Sequence, residues 1–188
     1  MGRTGRASAR AFLGFSMREI KNGGIQNVNS QSNRTRRLAV SAVIAALYAA
    51  LTIALAPISY GPLQFRVSEA LTVMPFLIPG TVWGVFVGCI LANLLGPSAG
   101  ITDIIFGSLA TLIAAVGTWY FRKNKWIAAA CPVIANGVIV GLVLSLTYNL
   151  PFFLTALQVA AGELLAVLVG LVLMKALERA DLRKFTED

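Results

Sequence analysis

The sequence predicts an all-α integral membrane protein that folds as one bundle of six transmembrane helices. Hydrophobic residues make up 57% of the chain and charged residues 13%, whereas soluble domains are about 45–50% apolar and about 25% charged. Apolar stretches bounded by turn signals approach the roughly 20 residues that cross a bilayer. Charges are rare between residues 38 and 174, where they are Arg66, Glu69, Asp103, Glu163 and the basic group Arg122, Lys123 and Lys125.

The first three spans are predicted from the basic flank and the turn residues. Residues 38–57 form the first span and follow Arg34, Arg36 and Arg37, a basic anchor typical of a cytoplasmic boundary. The apolar stretch 67–95 would be about 43 Å long as one helix, which exceeds a hydrocarbon core of about 30 Å. Because Pro79-Gly80 interrupts this stretch, we predict two short spans, 67–79 and 81–95.

The remaining spans are predicted at 101–121, 126–146 and 152–174, separated by the loops 96–100, 122–125 and 147–151. Six crossings place the basic loop 122–125 and the C-terminal tail on the same side as the basic N-terminus, as the positive-inside rule requires. We therefore predict that both termini are cytoplasmic. A basic disordered tail, 1–35, then precedes a membrane domain, 36–176, and a charged tail, 177–188. The basic N-terminal tail is interpreted as a flank that touches anionic lipid, not nucleic acid.

Composition and motifs argue against an enzyme. The chain has no histidine, which excludes a histidine base and any histidine-ligated metal. Cys89 and Cys131 lie in separate apolar stretches, so neither a disulfide framework nor a zinc site is expected. No phosphate-binding loop and no Gly-x-Ser-x-Gly elbow is present. We expect no catalytic residues, no cofactor and no metal, and ATP hydrolysis, if used, must come from partner subunits.

Small residues at four-residue spacing indicate close helix packing. The pairs Gly84/Gly88 and Gly137/Gly141 are interpreted as contacts inside the bundle. The first span carries one stripe of Ala42, Ala46 and Ala50 beside a second stripe of Ala45 and Ala49. Two stripes are more than one internal contact requires, so we predict that Ala42, Ala46 and Ala50 dock a partner helix.

The embedded polar residues are the main indication of function. A charged side chain in hydrocarbon costs at least a few kcal/mol, and in the six-span topology none of these groups lies in a cytoplasmic half. This distribution predicts a binding pocket open to the outside. The candidate substrate-binding residues are Phe65, Arg66, Glu69, Asn93, Asp103, Asn136, Gln158 and Glu163, of which Phe65 would stack on a planar ligand.

Simpler explanations remain open for some of these charges. Arg66 and Glu69 are three residues apart, so they can share a helix face as a mutual ion pair. Asp103 follows a loop at a predicted helix start, where a carboxylate favours the helix dipole. Glu163 lies far from any predicted helix end, which favours a ligand contact or a buried polar network.

Three segments contain most of the embedded polar residues: Gln64-Phe65-Arg66-Val67-Ser68-Glu69-Ala70-Leu71-Thr72 with Pro75-Phe76, the segment 88–93 (Gly-Cys-Ile-Leu-Ala-Asn), and the segment 103–111 (Asp-Ile-Ile-Phe-Gly-Ser-Leu-Ala-Thr). These segments resemble the QueT family of substrate-binding S components from energy-coupling factor (ECF) transporters. The resemblance covers about residues 36–176. It implies a six-helix bundle in the cell membrane that binds a queuosine precursor, a 7-deazaguanine base such as preQ1, preQ0 or queuine. It also implies docking, through the first helix, on a transmembrane coupling protein and two ABC-type ATPases.

Two other functions compete with this prediction. A proton-coupled secondary carrier of a small cationic or heterocyclic metabolite would use Glu163 as its relay. A structural membrane subunit would bind no ligand, and Arg66 and Glu69 would serve only as a stabilising pair.

Overall fold

A computed structural model of the chain describes residues 34–60, 65–97 and 100–179. The predicted tails therefore lie mostly outside the described residues. Among the described residues, those from Arg37 onward form one compact unit. In chain order the elements are α1 (Arg34–Ala54), α2 (Ala56–Ser59), a 3-10 helix (Val67–Phe76), α3 (Thr81–Leu95), a π-helix (Asp103–Gly107), α4 (Ser108–Tyr120), α5 (Lys125–Tyr148) and α6 (Phe152–Arg179).

All regular structure in the described residues is helical. Four helical stretches are long and apolar enough to cross a membrane: α1, the π-helix continued by α4, α5 and α6. The 3-10 helix and α3 are apolar but shorter, with 10 and 15 residues. At their respective rises they extend about 20 Å and about 22 Å. The protein is thus a multi-pass membrane protein, and the predicted break around Pro79-Gly80 is present.

Several helix ends differ from the prediction. Because Pro57 has no backbone N–H and its ring clashes with the carbonyl group four residues earlier in a continuous helix, α1 ends at Ala54 instead of residue 57. The chain then restarts as α2 with Pro57 in its first turn, a position that proline tolerates. At the other end α6 continues past residue 174 to Arg179, because Leu177 still packs against the core.

The stretch predicted as a short span at 67–79 is a 3-10 helix at the centre of the bundle. Every residue from Ser68 to Pro75 is buried. Helices of the 3-10 type rarely exceed three or four residues, so a run of ten is unusual. Gly170 of α6 packs on the backbone of Ala70, where a Cβ would collide with the Ala70 carbonyl oxygen. The 3-10 helix is therefore held closely by its neighbours.

The predicted internal role of the glycine pairs is confirmed. A Cβ on Gly88 of α3 would lie 2.8 Å from the carbonyl oxygen of Ala45 in α1. A Cβ on Gly141 of α5 would lie 2.7 Å from the Cα of Ala156 in α6. Both helix pairs therefore approach through their backbones, as small residues allow.

The two alanine stripes of α1 have different environments. Ala45 and Ala49 are buried, and the Ala45 side of the helix faces α3. Ala42, Ala46 and Ala50 are exposed. One stripe therefore serves internal packing, and the other presents small side chains on the outer surface of the described unit.

Candidate functional site

The carboxylate of Glu69 lies at the centre of a buried polar cluster. It is the third residue of the 3-10 helix and is only 3% exposed. Its Oε1 accepts hydrogen bonds from the hydroxyl of Tyr48 in α1 and from Thr111 in α4, the latter at 3.2 Å. One residue earlier, Ser68 shares a 2.6 Å hydrogen bond with Thr52 of α1. These contacts fix the start of the 3-10 helix against α1 and α4.

Glu163 and Asn136 complete the cluster from the long C-terminal helices. Both side chains are buried near the middle of α6 and α5. The amide of Asn136 lies beside the carboxyl groups of both Glu69 and Glu163, and the two carboxyl groups are close enough to repel each other. Glu163 thus lies in a buried polar network, one of the two environments that the sequence favoured for it, and its contact with a ligand stays a prediction.

Arg66 is the cation of the cluster, although it does not share a helix face with Glu69. Its backbone is extended, with φ −93° and ψ 102°, because the 3-10 helix begins only at Val67. Its guanidinium carbon lies 5.4 Å from the centre of the Tyr60 ring, within cation–π range. No direct ion pair joins Arg66 to Glu69 in the described residues, so the mutual-pair explanation is not supported. The guanidinium still attracts Glu69 and Glu163 at longer range.

Tyr60 connects the Arg66 side of the cluster to α3. Its hydroxyl donates a 2.7 Å hydrogen bond to the carbonyl oxygen of Ala92. Desolvation by burial raises the pKa of the Tyr60 phenol, so the group remains a neutral donor at physiological pH.

Asn93 and the π-helix lie on another side of the polar cluster, next to Arg66. The Asn93 Nδ2 atom donates to the backbone oxygen of Asp103 at 2.9 Å. Gly107, the last residue of the π-helix, leaves room for Asn93 and Arg66, since a Cβ there would lie 3.3 Å from Asn93 Nδ2 and 3.9 Å from an Arg66 guanidinium nitrogen. Single π-helical turns are often found at functional sites. Asp103 itself is half-buried and is the first residue of the π-helix, preceded by only two helical residues, 101 and 102.

The cluster contains several buried atoms without a hydrogen-bond partner among the described residues. Buried polar atoms are paired in the great majority of cases, and each exception calls for an explanation. Seven such atoms are present, and five belong to predicted site residues: Arg66 Nε, Glu69 Oε2, Asn93 Oδ1, Asn136 Nδ2 and Glu163 Oε1. Two hydroxyl oxygens, of Ser59 and Ser108, complete the set. Unpaired hydrogen-bond donors and unpaired acceptors are thus both present inside one apolar bundle.

The predicted residues do not all join this cluster. Gln158 is exposed on α6, because five residues of helix turn it well away from the buried face of Glu163. Phe65 is half-buried next to Arg66, and Asp103 contributes its backbone oxygen. The cluster therefore contains Arg66, Glu69, Asn93, Asn136 and Glu163, with Phe65 and Asp103 at its edge.

Sequence reasoning missed three residues that complete the cluster. Tyr48 is a fully buried tyrosine in an alanine-rich helix, and Thr111 is likewise fully buried. The thiol of Cys89 accepts from Thr111 at 3.3 Å and from Asn93 at 3.5 Å. Thr111 and Cys89 lie within the segments singled out in the sequence, whereas Tyr48 is the lone aromatic residue between 38 and 59.

Chemically, this cluster suits a planar, donor-rich ligand. Two carboxyl groups accept hydrogen bonds, two carboxamides both donate and accept, and one guanidinium donates. When both carboxyl groups are ionised, the three charged residues Arg66, Glu69 and Glu163 carry a net negative charge.

Comparisons with known proteins show which family the chain belongs to. The family model described as QueT transporter matches residues 38–179. The chain is also 32% identical over 170 residues to the queuosine precursor transporter QueT of Lactococcus lactis subsp. cremoris (strain MG1363), a match that covers 82% of this chain and 99% of that protein. No solved structure gives a significant match. The chain belongs to the QueT transporter family.

Proposed function

We propose that this protein is the substrate-binding subunit of an ECF-type importer in the cell membrane and that it takes up a queuosine precursor. The substrate would be preQ1, preQ0 or queuine, bound from outside and delivered inward by the docked complex. The observation that carries this proposal is the set of five unpaired polar atoms in one buried cluster. The name of the similar Lactococcus protein supports the same substrate class.

The ligand chemistry fits the unpaired groups one by one. A guanine-like edge offers adjacent N–H donors, which a carboxylate accepts. Because Oε1 of Glu69 already accepts from Tyr48 and Thr111, its unpaired Oε2 would accept from this edge. Arg66 would donate to the ligand carbonyl, and Asn93 and Asn136 would complete the ring contacts.

Glu163 would bind the amine of a cationic precursor. With Glu69 and Glu163 ionised, Arg66 neutralises only one of the two charges. An aminomethyl cation such as that of preQ1 would neutralise the other, because an opposite charge a few ångströms away favours the ionised carboxylate. PreQ0 carries a neutral nitrile in place of this amine, so we expect preQ1 to bind more tightly.

Energy coupling would come from other subunits. The chain would cross the membrane six times with both termini cytoplasmic, the 3-10 helix and α3 acting as short spans. The exposed stripe Ala42, Ala46 and Ala50 would dock on the transmembrane coupling protein, since small side chains allow a partner helix to approach closely. Two ABC-type ATPases would then drive the release of substrate inside.

The test is ligand binding by the purified full-length protein. Calorimetry and thermal shift with preQ1, preQ0, queuine and guanine should give saturable binding of a deazapurine. Glu69→Gln and Glu163→Gln should each weaken preQ1 binding by about 30-fold or more, because each leaves a buried donor or charge unpaired. Asn136→Ala should weaken binding, while Gln158→Ala, which changes an exposed amide, serves as the control.

Two results would overturn the proposal. Undiminished binding in both glutamine variants would remove the cluster as the substrate site. Uptake by vesicles that contain this protein alone, and its collapse with a protonophore, would instead identify a proton-coupled carrier.

A further inference from the structure

A groove lies between α5 and α6 on the surface of the described residues, and none of the polar-cluster residues lines it. Its volume is about 210 Å³. The residues that line it are apolar throughout: Trp126, Ala129, Ala130, Val133, Ile134, Leu164, Val167, Leu168 and Leu171. Several of them are well exposed, including Trp126 at 68% and Ile134 at 64%.

The packing of the two helices fixes which end of the groove is charged. Gly137 lies against Ala160, and Gly141 lies against Ala156, so the helices are antiparallel. The same register places Trp126 opposite Leu171. One turn further out, it places the loop that precedes α5 beside the last turns of α6.

This end of the groove is strongly basic. Arg122 and Lys123 in the loop before α5 and Lys125 at the start of α5 are exposed. Lys175 and Arg179 at the end of α6 are exposed as well. Glu178 is the one acidic residue among the described residues of these two segments. The Lys125 ammonium nitrogen lies 5.2 Å from the centre of the Trp126 ring. A tryptophan and basic residues together are typical of a membrane boundary.

We propose that this groove is a binding site for an anionic phospholipid. One acyl chain would lie against Ala130, Val133 and Leu168, and the phosphate would meet the basic groups at the Trp126 end. Basic pockets between transmembrane helices bind anionic headgroups, and each basic residue near a surface adds to the attraction. Charge complementarity at one end and an apolar lining along the rest identify a lipid as the occupant.

The test uses the full-length protein in neutral detergent. Native mass spectrometry and thermal shift are measured while phosphatidylglycerol or phosphatidylcholine is added. We expect preferential retention of phosphatidylglycerol and stabilisation by it. Arg122→Gln/Lys125→Gln should weaken its apparent affinity by about tenfold. The matched control, Arg34→Gln/Arg37→Gln, removes the same charge from exposed residues of α1 and should weaken it much less.

The groove is tested separately from its charged end. Ala130→Phe fills the groove and should reduce phosphatidylglycerol retention, whereas Val138→Phe adds the same ring to an exposed position of α5 outside the groove. Equal stabilisation by both lipids, or equal losses in the two charge variants, would overturn the site. If Ala130→Phe left lipid retention unchanged and instead reduced co-purification of a membrane partner, the groove would be a protein contact.

Discussion

Tyr48 donates a hydrogen bond from its phenol to the carboxylate of Glu69, although 21 residues separate them in sequence. Tyr48 is fully buried in α1, and Glu69 is the third residue of the 3-10 helix. The bond occupies one oxygen of the carboxylate and leaves the other without a partner in the described residues. The helix that exposes the Ala42, Ala46 and Ala50 stripe is therefore also the helix that orients the central acid of the cluster.

Replacing Tyr48 tests this relationship. Tyr48→Phe keeps the ring but removes the donor, so the buried carboxylate loses a partner, at a cost of about 1–3 kcal/mol. We expect weaker preQ1 binding by calorimetry and a lower thermal midpoint. Tyr120→Phe, which alters a tyrosine that is 72% exposed, should change neither. Wild-type binding by Tyr48→Phe would show that the phenol does not position Glu69.

Gly107 is predicted to set the geometry of Arg66 and Asn93. In Gly107→Ala the new Cβ would lie 3.3 Å from Asn93 Nδ2, so the amide must move by a few tenths of an ångström. We expect preQ1 affinity to fall by about tenfold, as is typical of misplaced polar contacts, with little change in thermal midpoint. Gly80→Ala is the control, because its nearest contact, at 3.8 Å, is ordinary. Equal affinities for the two variants would contradict the prediction.

Gly88 tests the packing of α1 on α3. A Cβ in Gly88→Ala would lie 2.7 Å from the Tyr48 Cβ and 2.8 Å from the Ala45 carbonyl oxygen. The backbones must separate, and overpacking of this kind costs about 1–3 kcal/mol. We expect a lower thermal midpoint together with weaker preQ1 binding, since Tyr48 is displaced. An unchanged midpoint would mean that the two helices are not held at this distance.

The two alanine stripes of α1 provide a matched pair of substitutions. Ala46→Phe enlarges an exposed residue, so the thermal midpoint and preQ1 binding of the isolated protein should be preserved. In cells that also contain an ECF module, uptake of preQ1 should fall because the partner helix can no longer approach.

Ala45→Phe enlarges the adjacent buried residue, which is 6% exposed, and should lower the thermal midpoint itself. Normal uptake by Ala46→Phe at normal expression would contradict docking through this face.

Much of the fold follows from local properties of the sequence. The break near Pro79-Gly80 and the separation of the later apolar helices were predicted, because proline, glycine and charge act where they stand in the chain. The 3-10 conformation of residues 67–76 was not predicted. No local pattern distinguishes a 3-10 helix from a short α-helix there, and the tight approach of Gly170 to Ala70 belongs to tertiary packing.

The residues of the candidate site likewise include some that the sequence predicted and some that only the structure revealed. The cost of a charge in an apolar segment singled out Arg66, Glu69 and Glu163 from sequence alone, and all three are buried. Gln158 was selected as an uncharged polar residue in an apolar segment but is exposed, because helix rotation, not polarity, decides which side chains face the bundle. Tyr48 and Thr111 were missed because burying a hydroxyl group in an apolar helix costs much less free energy than burying a charge. Such residues therefore do not stand out in the sequence.

The sequence by itself determined that this chain is a multi-pass helical membrane protein of the QueT transporter type, with a few polar groups embedded in its apolar segments. That information is local, because the length of an apolar stretch and the free-energy cost of a charge within it depend only on the residues of that stretch. Only the tertiary structure decided that Tyr48, Glu69, Thr111, Asn136 and Glu163 meet in one cluster. It also decided that Ala45 faces inward while Ala46 faces outward. These facts depend on helix rotation and on contacts between distant segments, which packing of the whole bundle fixes.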